Sequence, residues 1–235
     1  LKKILRLLFK LLLVLVSLGL VVFIALKLMY NDDVPVGESG KAADALAQQM
    51  LDALAFEKFQ AAKELQWTFR DKHTYHWYLQ QHIVDVYWDE YKVTYHTKDL
   101  QKSSAFLDGI PLEGEAKTEA ITYAVSNFNN DSFWLVAPFK VFDKGTTRSL
   151  VQDEGKRKLL VQYTTGGTTP GDAYLWELDE QYLPVAFKMW VSIIPFDGVE
   201  ATWINWERTS AGFLLPTSRT FFGLEIPISN VKVVP

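Results

Sequence analysis

The stretch His73-Thr-Tyr-His-Trp-Tyr-Leu-Gln-Gln-His-Ile-Val-Asp-Val-Tyr-Trp-Asp-Glu-Tyr-Lys-Val-Thr-Tyr-His96 holds all four histidines of the chain and seven aromatic rings. Its residues alternate in type with the two-residue period of β-strands, and Asp89-Glu90 separates IVDVYW from YKVTYH as the two-residue turn of a hairpin. Just upstream, LQWTFR (65–70) puts Leu65, Trp67 and Phe69 on one face and Gln66, Thr68 and Arg70 on the other. Strand parity then separates the histidines. His73 points with Tyr75 and Trp77, His76 points the other way with Thr74 and Tyr78, and His96 follows Lys92 and Thr94 to the solvent face. No two share a face at the spacing a strand metal site uses, and there is no HExxH, so no metal site is expected.

Parity has the opposite effect on the apolar residues. Trp67, Phe69, Tyr75, Trp77, Val84, Val86, Trp88, Tyr91, Val93 and Tyr95 all fall on one face. Part of that face must be core. In a strongly curved sheet the concave face carries more side chains than two helices cover, and the remainder lines an apolar pocket. The candidate ligand-binding residues are therefore Trp67, Phe69, Tyr75, Trp77, Val86 and Trp88, joined by Phe187 and Met189 of a later strand.

Working outward, Ala43, Leu46, Ala47, Met50, Leu51 and Leu54 recur at helical spacing and predict a helix over about 41–58. A second helix is expected over 115–129, closed by Asn129-Asn130-Asp131. Downstream, SFWLVA, TRSLVQ, KRKLLVQY, DAYLWEL, PVAFKMWVSI, ATWINWE, FLLPTSRTFF and ISNVKVV read as strands separated by turn signals. Such spacing predicts an antiparallel meander of about eleven strands with two packed helices. The fold class is α+β, mainly β, a curved sheet or half-barrel. The Gly166-Gly167 and Pro170-Gly171-Asp172 segment reads as a hairpin loop, because no Lys-Ser/Thr and no following helix accompany it as a phosphate loop requires.

At the N-terminus, LLLVLVSLGLVVFIAL runs without a charge between Lys10 and Lys27. With its flanks it is long enough to cross a bilayer, and Ala25-Leu26-Lys27 is a poor cleavage site, so residues 1–30 read as an uncleaved transmembrane anchor, with residues 4–30 in the membrane. Lys2, Lys3, Arg6 and Lys10 precede the span and place the N-terminus in the cytoplasm, with the domain on the periplasmic side of the inner membrane. Residues 31–41 then form a polar tether, and 42–235 one domain. From residue 31 onward 19 basic and 28 acidic residues remain, a charge of −9 that repels phosphate backbones, so no nucleic-acid partner is expected. The absence of cysteine excludes disulfides, thiolate nucleophiles and a lipidated cysteine. There is no G-x-S-x-G, and Asp89, Glu90, Asp179 and Glu180 occupy turns, so nothing in the sequence proposes an acid/base pair or a cofactor.

The order of these elements, with LDALAFEKF before LQWTFR, the hairpins VDVYWDEYKV and AYLWELDEQYLPVAF, and the late pair ending GFLLPTSRTFF, resembles the LolA- and LolB-like lipoprotein-carrier superfamily over about residues 43–230. SFWLVAPFKVFDKGTT and VQYTTGGTTPGDAYLWEL look like an exported bacterial branch of it. The resemblance implies a half-barrel closed by helices around a hydrophobic cavity and a lipid or lipoprotein acyl chain as ligand. Two departures matter: a soluble carrier should have a cleaved signal and an outer-membrane acceptor a lipidated cysteine, and this chain reads as having neither. Any lipid handling is therefore expected close to the inner membrane. The competing expectations are a non-enzymatic envelope module with a filled core and, third, an envelope hydrolase.

Overall fold

The computed structural model describes residues 2–153, 155–165 and 170–235. Helix α1 (Lys2–Met29) opens the chain, and none of its residues is buried. After it come strand β1 (Glu38–Ser39) and helices α2 (Lys41–Ala53) and α3 (Phe56–Ala61). A first run of strands follows: β2 (Glu64–Phe69), β3 (His73–Tyr78), β4 (Ile83–Trp88), β5 (Tyr91–His96), β6 (Ser104–Leu107) and β7 (Ile110–Pro111). Helix α4 (Gly114–Val136) separates these from β8 (Thr146–Asp153), β9 (Lys156–Tyr163), β10 (Ala173–Leu178), β11 (Pro184–Trp190), β12 (Val199–Arg208), β13 (Leu214–Phe221), β14 (Leu224–Glu225) and β15 (Ile228–Val234).

All neighbours within the sheets are antiparallel, and the mainly-β α+β class holds. The hairpin of the opening stretch forms as its pattern requires. Trp88 pairs with Tyr91, and Asp89 takes the left-handed conformation (φ 44°) that a tight two-residue turn demands. In β2 the alternation is realised residue by residue, with Leu65, Trp67 and Phe69 buried.

Three expectations need correction. The single meander of about eleven strands is instead two open sheets. One has eight strands in the order β1-β8-β9-β10-β11-β12-β13-β14, and the other has seven in the order β15-β2-β3-β4-β5-β6-β7. The chain leaves the seven-stranded sheet at α4 and returns to it after Pro227, which has no N–H to continue a ladder; its carbonyl accepts from Arg70 N, and β15 goes on to pair with β2 rather than with β13. The helix expected over 41–58 is interrupted by Ala55 in the left-handed conformation (φ 58°), which turns the Leu54 carbonyl towards Leu214 N at 3.0 Å.

The third correction concerns α4, which does not stop at Asn129-Asn130-Asp131 but absorbs SFWLVA, read above as a strand. Local capping preference is overridden because Asp131 is buried and bonded to β3, and because Leu135 and Val136 are fully buried beyond it.

Helix α4 is what makes one core out of two sheets. Through Phe128 it covers the seven-stranded sheet, and that ring lies 5.2–6.0 Å from Trp67, Tyr75, Trp77 and Tyr95. Burying such a side chain contributes about 1.5–3 kcal/mol. Its second half covers the eight-stranded sheet, with Phe133 4.4 Å from Tyr174 and Trp134 5.9 Å from Phe187. Helix α2 packs on the same sheet from Leu46, Met50 and Leu51.

The outer face of β8–β11 carries a second apolar cluster of Val151, Leu160, Ala173, Leu175 and Trp190. Chain from the expected tether is laid against this face. Trp190 Nε1 donates to the Asp32 carbonyl (2.7 Å), Lys188 pairs with Asp32 (3.3 Å), and β1 pairs with β8. Gly37 lies so close that a Cβ there would come within 2.8 Å of Ser149 Cβ.

Candidate functional site

Where the second half of α4 crosses β9–β11, its residues leave a cleft of about 400 Å³, within the range of small-molecule sites. Phe133 and Trp134 form one wall, and Phe187, Met189 and Val191 form an apolar floor. Ile193 and Ile194, from the loop that joins β11 to β12, stand at the rim. Ser126, Asn127, Asn129 and Asn130 of α4 line a polar side, with Lys140, Asp143 and Lys144 beyond them.

Two tyrosines and a carboxylate complete the lining at the β9–β10 end. Tyr174 Oη donates to Asp172 Oδ2 (3.3 Å), while Ser192 N donates to Asp172 Oδ1 (3.2 Å) and so ties the rim loop to β10. Tyr163 Oη is buried and has no hydrogen-bond partner among the described residues. Burial, followed by the Asp143 charge for Tyr163 and the Asp172 charge for Tyr174, pushes both phenols well above their ordinary range. Both therefore stay neutral hydrogen-bonding groups at physiological pH. A neutral, half-aromatic cleft with one polar side suits a ligand with an apolar body and a polar end.

Of the sequence-derived candidates, Phe187 and Met189 line this cleft. Trp67, Phe69, Tyr75, Val86 and Trp88 are instead buried in the core, with Trp77 packed at its edge, and none of the six lines the cleft. Parity grouped them correctly on one face, but α4 covers that face. The segment around Gly166-Gly167 lies outside the described residues.

The histidines do not converge. His73 is buried, and Asp131 Oδ2 accepts both from its Nδ1 (2.8 Å) and from Tyr75 Oη (2.6 Å), while Tyr123 Oη lies 3.0 Å from His73 Nε2. One tautomer satisfies every partner, with Nδ1–H donating to Asp131 and Nε2 accepting from Tyr123. His76 lies 3.8 Å from Glu64, His82 sits exposed in a turn, and His96 is half-buried on β5. No group of three or more His, Cys, Asp or Glu could hold a metal ion among the described residues.

Sequence reasoning missed Phe133, Trp134, Tyr163 and the rim loop. A usable signal was present: Ala120, Ala124, Phe128, Asp131, Ser132 and Leu135 keep helical spacing straight through the apparent stop at 129–131. It also missed Arg219, which is 2% exposed and next to Trp203 in the β12–β13 ladder. Its Nη2 donates to the Pro216 carbonyl, and burial lowers its pKa to about 10.

The fold and cleft define a mainly-β protein with an aromatic cleft and a long apolar N-terminal helix suited to export or membrane anchoring. No family model and no curated protein matches the chain. In structure it is similar to a DUF1329 family protein from Desulfovibrio piger, over 83% of this chain and 93% of that one, at 9% identity and a TM-score of 0.38. At that level the likeness carries no argument about function.

Proposed function

We propose that this chain is a membrane-anchored lipid-binding protein that holds an acyl chain in the cleft between α4 and the eight-stranded sheet. The observation that carries the reading is the cleft itself, about 400 Å³ with a floor of Phe187, Met189 and Val191 under Phe133 and Trp134. The acyl chain lies on that floor, and its polar end faces the asparagines of α4 and Lys140 and Lys144. Helix α1 spans the inner membrane with its basic end in the cytoplasm, so that the domain is periplasmic. The sequence resemblance to lipoprotein carriers supports the same ligand class.

The test is native mass spectrometry of the full chain released from mild detergent, together with titration of a fluorescent fatty acid. Co-purified lipid is expected, as is loss of fatty-acid binding in Met189→Trp, which fills the floor. One observation favours the rival reading of a filled structural module: the aromatic face of β2–β5 is packed shut by α4. Absence of both bound lipid and fatty-acid binding would establish that rival.

A further inference from the structure

The end of the domain that carries the cleft's rim is also the end that meets α1. Phe23 of α1 lies 5.8 Å from the Phe196 ring, Tyr30 lies 6.3 Å from Phe196 and 5.5 Å from Phe222, and Phe196 and Phe222 lie 6.2 Å apart. Lys27 Nζ is 3.3 Å from Asp197 Oδ2, and Asp197 N donates to the Tyr30 carbonyl (3.1 Å). Phe196 and Asp197 belong to the loop between β11 and β12, which also supplies Val191, Ile193 and Ile194 to the cleft.

These contacts fix a depth. Phe23 lies inside the uncharged run that ends at Leu26, and Lys27 is the first charge after it. Four residues of helix separate Phe23 from Lys27, about 6 Å along the axis. When α1 spans a bilayer with Lys27 at the polar boundary, Phe23 is in hydrocarbon, and Phe196, packed on it, enters the same layer. Raising the domain clear of the membrane would pull a full turn of apolar helix into water.

Exposed apolar side chains agree with this placement. Ile193 is 65% exposed on the same loop, and Leu224 is 73% exposed at the start of β14, just after Phe222 in the β13–β14 turn. Single exposed apolar residues occur elsewhere on the domain and mean little. These are distinguished by lying on the two segments whose rings, Phe196 and Phe222, pack against Phe23 and Tyr30.

We propose that the β11–β12 loop, with the β13–β14 turn beside it, is seated in the surface of the bilayer that α1 crosses, and that the cleft opens onto that bilayer. Resting on the lipid-binding reading, this names the source of the ligand. An acyl chain leaves the leaflet next to α1 and passes Ile193 and Ile194 into the cleft without crossing water. The Lys27–Asp197 pair sits at the polar boundary, where an ion pair of two half-exposed side chains is tolerated.

The chain has no cysteine, so single labels are unambiguous. The full chain, with Ile193→Cys or Glu180→Cys carrying an environment-sensitive fluorophore, is reconstituted into phosphatidylethanolamine and phosphatidylglycerol vesicles. Glu180 is the control: it is exposed in the β10–β11 turn, at the opposite end of that hairpin and roughly 20 Å from the loop. The label at 193 is expected to emit to the blue, to be quenched by lipids carrying a nitroxide in the acyl chain, and to be protected several-fold from aqueous iodide relative to 180. Equal access of iodide to both labels, with no quenching at 193 by the nitroxide lipid, would overturn the proposal. Native mass spectrometry of the same samples reads cleft occupancy separately. An embedded rim with an empty cleft overturns the direct bilayer route and the lipid-binding reading while leaving the seating in place; a water-exposed rim over a filled cleft overturns the seating alone.

Discussion

Replacing Asp131 tests whether the buried histidine belongs to the architecture or to chemistry. Asp131 is 1% exposed, and through Oδ2 alone it accepts from Tyr75 Oη at 2.6 Å and from His73 Nδ1 at 2.8 Å. Tyr75 is fully buried and His73 is 5% exposed, so neither donor in Asp131→Ala can turn to solvent. A buried donor left without a partner costs about 1–3 kcal/mol, and breaking a buried pair about 3–5 kcal/mol in all. We expect Asp131→Ala to destabilise the full chain in detergent by about 3–5 kcal/mol. Asp131→Asn keeps an oxygen with two lone pairs where Oδ2 stands and puts its amide opposite Asn130, whose exposed side chain can rotate. It should cost about 1 kcal/mol, from exchanging a charge-assisted for a neutral acceptor. Burial and the Asp131 charge push the Tyr75 phenol far above its ordinary range, so Tyr75 remains a donor to position 131 at physiological pH. Urea unfolding followed by tryptophan fluorescence reads both variants. If Asp131→Ala lost less than about 1 kcal/mol, the assignment of this network as a tie between α4 and β3 would be refuted.

Three further outcomes are expected. Trp88, 8% exposed, stacked on Tyr91 and tilted against Tyr123 at 4.9 Å each, is core rather than cleft; Trp88→Ala should cost about 3–5 kcal/mol in urea unfolding without changing fatty-acid affinity. Hydrogen bonds from Lys156 and then Lys158 hold the Glu177 carboxyl below its ordinary value of 4.5, so its contribution is present above that pH and lost as pH falls through the lowered value. Glu177→Gln should therefore flatten the acid limb of the stability curve below about pH 4.5 while lowering neutral-pH stability by only about 0.2–1 kcal/mol, as unfolding against pH will show. Gly198 has φ +70°, and a Cβ there would meet Asp32 Cβ at 2.7 Å, so Gly198→Ala should cost at least about 1–2 kcal/mol and speed proteolysis of residues 31–37.

The parts of the fold legible in the sequence are those in which neighbours along the chain do the specifying. Strand β2 alternates cleanly and β5 nearly so, because one face packs on the core and the other is partly open to solvent; in β4 the outward Asp85 is buried as well, under Thr94 and Tyr87, and the Asp89-Glu90 turn joins β4 to β5 within two residues. What escaped depends on partners far away in sequence. Asp131 reads as a helix stop until His73 and Tyr75, more than 50 residues earlier, are seen to hold it inside the helix. The cleft was half-legible for the same reason. Phe187 and Met189 stand out on a recognisable strand, but their opposite wall, Phe133 and Trp134, was hidden in a segment whose aromatic and β-branched content imitates a strand. The place of β15, which returns to β2 across more than 150 residues, is likewise encoded by no local pattern.

The same long-range logic bears on where the functional unit begins. A boundary placed after residue 41 follows composition, since NDDVPVGESGK is polar and carries a proline and two glycines. Physically, that chain covers the outer cluster around Trp190, contributes β1, and supplies Asp32 to both Lys188 and Trp190. Removing it would uncover an apolar face on the same strands, β9 to β11, that carry the cleft on their other side. A slack tether lets a domain wander over a membrane surface, whereas this one is pinned along its length, and Lys27 and Phe23 meet Asp197 and Phe196 at its start. The geometry from α1 to the rim loop is thereby set by packing rather than by linker length. Lengthening residues 33–36 with a glycine-serine insertion should consequently leave folding intact only where the β1–β8 pairing and the Trp190–Asp32 bond both survive. An insertion that frees the domain from α1 should release the label at position 193 into water even with α1 intact.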